Sequence, residues 1–178
     1  MKSPFIFDVA TLLRGSALPE HLTQSGPSPT RIGPEMIAIP EGGKVIVEAQ
    51  IIPLGGGLAV EADIEAQLLG QCSRCLRELT PTKTLHVSEV FAADPDFVTG
   101  EDAADDEDEL PMVNQDQIDL LQSVIDEAGL TLPFNPVCEE LGYGACQDDE
   151  TPAPDGVSEE VEDEEKVDPR WAGLEKFL

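Results

Sequence analysis

Between Met36 and Phe91 apolar and polar residues alternate with a period of two, the spacing of strands that bury one face. Val45, Val47, Ala49 and Ile51 share one side, and Glu48 and Gln50 fall on the other. Pro53 and the run Gly55-Gly56-Gly57 interrupt the pattern. It resumes as Leu58, Val60, Ala62, Ile64, Ala66 and Leu68 alternating with Glu61, Asp63, Glu65 and Gln67. Glycines between two such runs predict a hairpin. A third run, from Thr80 to Phe91, carries Leu85, Val87 and the pair Val90-Phe91. The three strands predict a twisted antiparallel meander, curled toward a barrel.

The flanking segments have other periods. Phe5-Ile-Phe-Asp-Val-Ala-Thr-Leu-Leu-Arg14 starts like a short strand and continues as a helical turn before Gly15, and a polar connector follows to about Arg31. Ile118, Leu121, Val124, Ile125 and Ala128 recur at helical spacing. They predict one covering helix over 115–128, with Asp116 near its start and Gly129 as its stop. The expected class is α+β: a mainly antiparallel β meander or barrel-like sheet with one covering helix, an acidic disordered linker and a short C-terminal helix. The expected organisation is an N-terminal segment and connector at 1–35, a β-rich core domain at 36–146, the acidic linker at 147–167 and a docked terminal segment at 168–178.

Charge separates these parts further. The 178-residue chain has 37 Asp and Glu against 10 Lys and Arg, a net of -27. Residues 1–90 hold 10 acids and 7 bases, whereas 91–178 hold 27 acids and 3 bases. Nine of the acids fall between Asp94 and Leu110, read as a solvated loop, and the Pro-interrupted stretch from Gln147 to Glu165 has no periodicity. Duplex DNA is excluded as a partner, since a broad basic face cannot be assembled from this composition. No apolar run of membrane-spanning length and no secretory leader appears, so the expected compartment is the cytoplasm, without a membrane partner. The terminus, Asp168-Pro-Arg-Trp-Ala-Gly-Leu-Glu-Lys-Phe-Leu178, is unlike the acidic stretch before it. Trp171, Leu174 and Phe177 fall at helical spacing and are expected to dock on the domain or on a partner.

Candidate chemistry concentrates on four cysteines. Cys72-Ser-Arg-Cys75 is a C-x2-C at the end of the longest strand, and two thiolates at that spacing supply half of a tetrahedral zinc site. Cys138 and Cys146 are the remaining pair. A redox pair, with Arg74 favouring the thiolate, and ordinary free thiols are the alternatives. Arg74, Arg77 and Lys83 cluster near the C-x2-C and are candidates for RNA phosphate contacts, or else neutralise Glu78, Glu89 and the acidic loop. His21 and His86, the two histidines, lie beside no candidate nucleophile, and Gly55-Gly56-Gly57 lacks the Lys and helix of a phosphate loop. A non-enzyme is expected.

Four stretches in this order resemble the YceD family, the large ribosomal RNA subunit accumulation proteins, in the actinobacterial layout. They are Met36-Ile-Ala-Ile-Pro-Glu-Gly42; the strand ending Leu68-Leu-Gly-Gln-Cys72-Ser-Arg-Cys75-Leu76; the Ile118-Asp-Leu-Leu121 helix leading to Leu132-Pro-Phe-Asn-Pro-Val-Cys138; and Asp168-Pro-Arg-Trp-Ala-Gly-Leu174. The resemblance implies a ribosome biogenesis factor that supports accumulation or processing of large-subunit (23S) ribosomal RNA through the RNA precursor or a basic ribosomal protein. The competing expectation is an acidic adaptor that holds a basic ribosomal protein without contacting RNA. Related members have six thiols where this chain has four, with Gly142 and Asp149 in place of two. That departure either removes metal binding or leaves one minimal site, Cys72, Cys75, Cys138 and Cys146, with zinc as its implied ion.

Overall fold

The computed structural model describes residues 3–15, 17–94, 97 and 110–146. Along the chain run β1 (Ile6–Asp8), α1 (Ala10–Leu13), β2 (Glu20–Pro27), β3 (Ile37–Ala38), β4 (Lys44–Pro53), β5 (Gly57–Gln67), β6 (Leu69–Gln71), β7 (Glu78–Leu79), β8 (Thr82–Ala92), β9 (Gln117–Asp119) and α2 (Leu121–Thr131). The strands make a four-stranded sheet in the order β2-β4-β5-β8, a three-stranded sheet β3-β6-β7 and a pair β1-β9, antiparallel throughout. The class is α+β as expected, with open sheets and no closed barrel. The acidic segment 147–167 and the terminal segment 168–178, with Trp171, Leu174 and Phe177, lie outside the described residues, as does most of the acidic loop.

The longest feature is a single hairpin. β5 and β8 pair without a slip from Gly57↔Ala92 to Gln67↔Thr82, and β6 and β7 carry the same register on through Gly70↔Leu79 to Gln71↔Glu78. At the junction the Leu68 N–H donates to the Pro81 carbonyl at 2.8 Å. Because successive side chains point to opposite faces, Leu58, Val60, Ala62, Ile64, Ala66 and Leu68 all enter the core, and Cys72 continues their row. They pack with Val45, Val47, Ala49 and Ile51 of β4, Leu85, Val87 and Phe91 of β8, and Phe5 and Phe7 at the N-terminus. Each of the larger side chains contributes about 1.5–3 kcal/mol on burial before ordering costs.

Two expectations need correction. The stretch read as connector contains β2, which pairs with β4 at every position from Glu20↔Ile51 to Pro27↔Lys44. As the edge strand it needs only a half-buried inner row, here Leu22 and Gln24, so its apolar alternation is too weak to read. The expected helical start at 115–116 is instead a tight turn. Gln115 and Asp116 have φ of 50° and 60°, closed by reciprocal Asn114–Gln117 backbone bonds, and β9 then pairs with β1. Asp119 caps the true helix, accepting the Leu121 N–H at 2.9 Å. The helix passes through Gly129 and stops at Leu132, which is extended ahead of Pro133.

Ala92 N–H donates to Pro111 O and the Val113 N–H to Ala92 O, each at 2.9 Å, so the two ends of the acidic loop are bridged in parallel. β3 pairs with the long hairpin at Gly70, where an added Cβ would lie 2.5 Å from Met36 O and 2.8 Å from Ile37 Cβ. Neither neighbour is a flexible side-chain end. Gly70→Ala should therefore lower unfolding stability by about 1–3 kcal/mol. Gly129→Ala, which meets nothing within 4 Å, should raise it by about 0.5–1 kcal/mol. Urea unfolding of both variants checks the pair.

Candidate metal centre

The tip of the long hairpin is a tight knuckle. Cys72 N–H donates to Arg77 O at 2.8 Å, and Leu76 N–H returns to Cys72 O at 3.0 Å. The return requires a left-handed residue, and Leu76 supplies it at φ 58°. The chain after α2 then folds over this tip. Pro136 O accepts the Ser73 N–H at 2.8 Å, and a second turn closes where the Tyr143 N–H meets Cys138 O, also at 2.8 Å. Gly142 and Gly144 flank that turn with φ of 80° and 75°. Tyr143 fastens the two turns together: its hydroxyl accepts the Thr80 N–H at 2.8 Å, and the Arg77 guanidinium carbon lies 5.5 Å from its ring centroid.

This clasp assembles all four cysteines, and the Sγ atoms lie within 4.8 Å of one another. Cys72 and Cys146 are 3.7 Å apart and Cys75 and Cys138 3.6 Å. A disulfide needs about 2.05 Å, so these are free thiols. Metal–sulfur bonds of about 2.3 Å put tetrahedral ligands about 3.8 Å apart, which the two pairs approach. Cys72 and Cys138 are buried, Cys75 and Cys146 half-buried, and Leu79, Val137 and Leu141 pack around them. The donor set and spacing fit one metal ion.

Electrostatics give the cluster a reason to want a cation. Burial acts most strongly on Cys72 and raises its pKa, but the backbone N–H groups of Cys75, Arg74 and Cys138 outweigh it and bring the thiol to about 6. Burial and the three neighbouring thiols push Cys138 up to about 12, and burial, with Cys75 and Cys72, also raises Cys146. One thiolate therefore resists the next. A divalent ion among them replaces that repulsion with attraction.

Arg74 and Arg77 stand exposed on the knuckle and Lys83 is exposed at the start of β8. Among the described residues none of the three forms an ion pair with Glu78 or Glu89. Glu89 instead accepts from the Ser123 hydroxyl at 3.0 Å. Tyr143 and Leu76 escaped sequence reasoning. Gly142-Tyr-Gly144 marks a tight turn but not what the ring reaches, and a leucine after Cys75 gives no sign of a left-handed backbone.

An antiparallel hairpin capped by a four-thiol knuckle, with the segment after the helix clasped to it, defines a small β-rich protein with one candidate metal centre. The chain belongs to the YceD family: the family model described as "Large ribosomal RNA subunit accumulation protein YceD" matches residues 60–178, from within β5 onward. Its relatives are mycobacterial, in keeping with an actinobacterial-type member. Uncharacterized proteins of Mycobacterium tuberculosis and Mycobacterium bovis are each 36% identical over 176 residues, covering 99% of this chain and 82% of theirs. One from Mycobacterium leprae is 30% identical, covering 99% and 78%. No solved structure matches. Membership implies a role in large-subunit ribosomal RNA accumulation, and no described helix is long and apolar enough to cross a membrane.

If Tyr143 is the fastener, Tyr143→Phe should cost about 0.5–1.5 kcal/mol, the range for one intramolecular hydrogen bond. It should also speed alkylation of Cys138 and Cys146 in the native protein. Thiol-labelling kinetics followed by peptide mass spectrometry read both cysteines separately, and unchanged rates would remove Tyr143 from this role.

Proposed function

We propose that this chain is a non-enzymatic cytoplasmic factor supporting accumulation or processing of 23S ribosomal RNA, with its hairpin tip stabilised by one zinc ion on Cys72, Cys75, Cys138 and Cys146. The family match over 60–178 carries the functional reading. The convergence of four thiols from segments far apart in sequence supports the ion. Four sulfur donors suit zinc, and a complete donor set leaves no open position for a substrate. When bound, zinc would supply a redox-inert cross-link. The residues around it do the rest: the knuckle N–H groups stabilise the Cys72 thiolate, and Tyr143 holds the two turns in reach of one another.

A second reading, the acidic adaptor for a basic ribosomal protein, has its own support. The open face of the large sheet carries Glu48, Glu61, Asp63 and Glu65 on neighbouring rungs, with Lys44 at one end. Such a face attracts Lys- and Arg-rich chains in a salt-dependent way.

Depletion followed by gradient sedimentation should show a deficit of large ribosomal subunits and of mature large-subunit RNA; normal amounts of both would remove the functional reading. A pull-down with and without nuclease separates the two versions, since the adaptor keeps its ribosomal-protein partner after RNA digestion. Native mass spectrometry should find one zinc ion per chain and none in Cys138→Ser. Bare mass in zinc-replete preparations, with four alkylatable thiols, would reject the metal.

A further inference from the structure

Six Lys and Arg side chains lie among the described residues: Arg14, Arg31, Lys44, Arg74, Arg77 and Lys83. Arg31 is engaged with the carbonyls of Gly33, Pro34 and Glu35, and Arg14 lies 4.0 Å from Asp116. Lys44 stands at the start of β4, and Lys83, exposed on β8 opposite Ala66, lies level with it and back from the tip. Arg74 and Arg77 stand on the knuckle itself, exposed and unpaired with any described carboxylate. On a chain of net charge -27, the knuckle thus presents two arginines three residues apart, Arg77 lying over the Tyr143 ring and neither paired with a described carboxylate.

Two apolar side chains accompany it. Leu76 is 65% exposed, although a left-handed backbone costs a leucine about 1 kcal/mol. Phe134, 69% exposed, precedes by two residues the Pro136 carbonyl bonded to Ser73, next to Arg74 in sequence. Both leave most of their surface in water.

Resting on the ribosomal-RNA reading above, we propose that the knuckle binds single-stranded RNA, with Arg74 and Arg77 on phosphates and Phe134 stacked on a base. The cations call for an anionic partner and would repel a basic protein, which the acidic sheet face suits better. An exposed aromatic ring two residues from the Pro136–Ser73 bond offers a platform for the π-face of any base. Glu78, Glu139 and Glu140 border the patch and confine it to a few phosphates. That suits a flexible single strand and not a duplex, which would run its backbone into the surrounding acidity.

The test is fluorescence anisotropy of the full, zinc-supplemented chain with a labelled single-stranded RNA of mixed sequence, about twelve nucleotides long, and with the matching duplex. The double variant Arg74→Glu/Arg77→Glu should weaken single-strand binding by roughly tenfold or more and reduce the salt slope by about 1.4. Phe134→Ala should weaken it by roughly fivefold or more. Lys44→Glu, half of that charge change and away from the knuckle, should alter it less than about twofold and less than Arg74→Glu alone. Circular dichroism and a zinc stoichiometry matching wild type confirm that the variants keep the fold.

No saturable binding up to about 100 µM RNA, knuckle variants that bind like wild type, or Lys44→Glu acting as strongly as the double variant would each overturn the proposal. So would a Lys-rich peptide that competes at the same residues. Absent RNA binding together with a large-subunit deficit on depletion removes only this inference. A normal large-subunit level on depletion removes the family-based reading and leaves the anisotropy result standing.

Discussion

One register governs the molecule. Every rung from Gly57↔Ala92 to Gln71↔Glu78 belongs to the same alternation, so a slip of one residue would turn Leu58, Val60, Ile64 and Leu68 to water and bring Glu61, Asp63 and Glu65 into the core. Several buried side chains and several unpaired carboxylates would be at stake together, which makes the register a collective property. Cys72 inherits its inward direction from that row. The tip chemistry is thus fixed by packing along the shared hairpin, and Gly70 keeps the row continuous by letting β3 pair closely where any side chain would collide.

The clasp at the tip works against chain entropy. Cys75 and Cys138 are separated by 62 residues that include the long acidic loop, and closing such a span costs free energy that grows only slowly with its length. The backbone bond from Ser73 to Pro136 and the Thr80 N–H bond to the Tyr143 hydroxyl offset part of that cost without any ion. Four thiols drawn into mutual contact oppose it, because ionising one raises the cost of ionising the next. A site preassembled by hydrogen bonds yet uncomfortable without a cation is suited to reversible loading.

The main strands were legible because β4, β5 and β8 each have one face in water and one in the core, leaving a clean period of two. β2 was not, because an edge strand paired on one side can be built from His21, Thr23 and Ser25. Ile118 misled for a different reason: it lies at helical spacing from Leu121 and Ile125, yet serves equally well as the inward residue of β9. The four cysteines could be named from sequence but not assembled. Cys146 stands eight residues beyond Cys138, and only the left-handed glycines at 142 and 144 and the reach of Tyr143 bring it back. Such contacts are long-range and leave no local period. The fate of Arg74 and Arg77 was equally open, since freedom from Glu78 and Glu89 is a matter of distance.

The parallel bridge between Ala92 and Met112 has a consequence for how this chain tolerates change. Since the backbone leaves and rejoins the sheet at adjacent points, whatever lies between closes on itself, and doubling its length would cost only about 0.6 kcal/mol in closure entropy. Insertions and deletions there are insulated from the hairpin register. The same seam offers a place to splice in a reporter domain whose own termini lie close together, leaving the cysteine tip at the other end of the hairpin undisturbed.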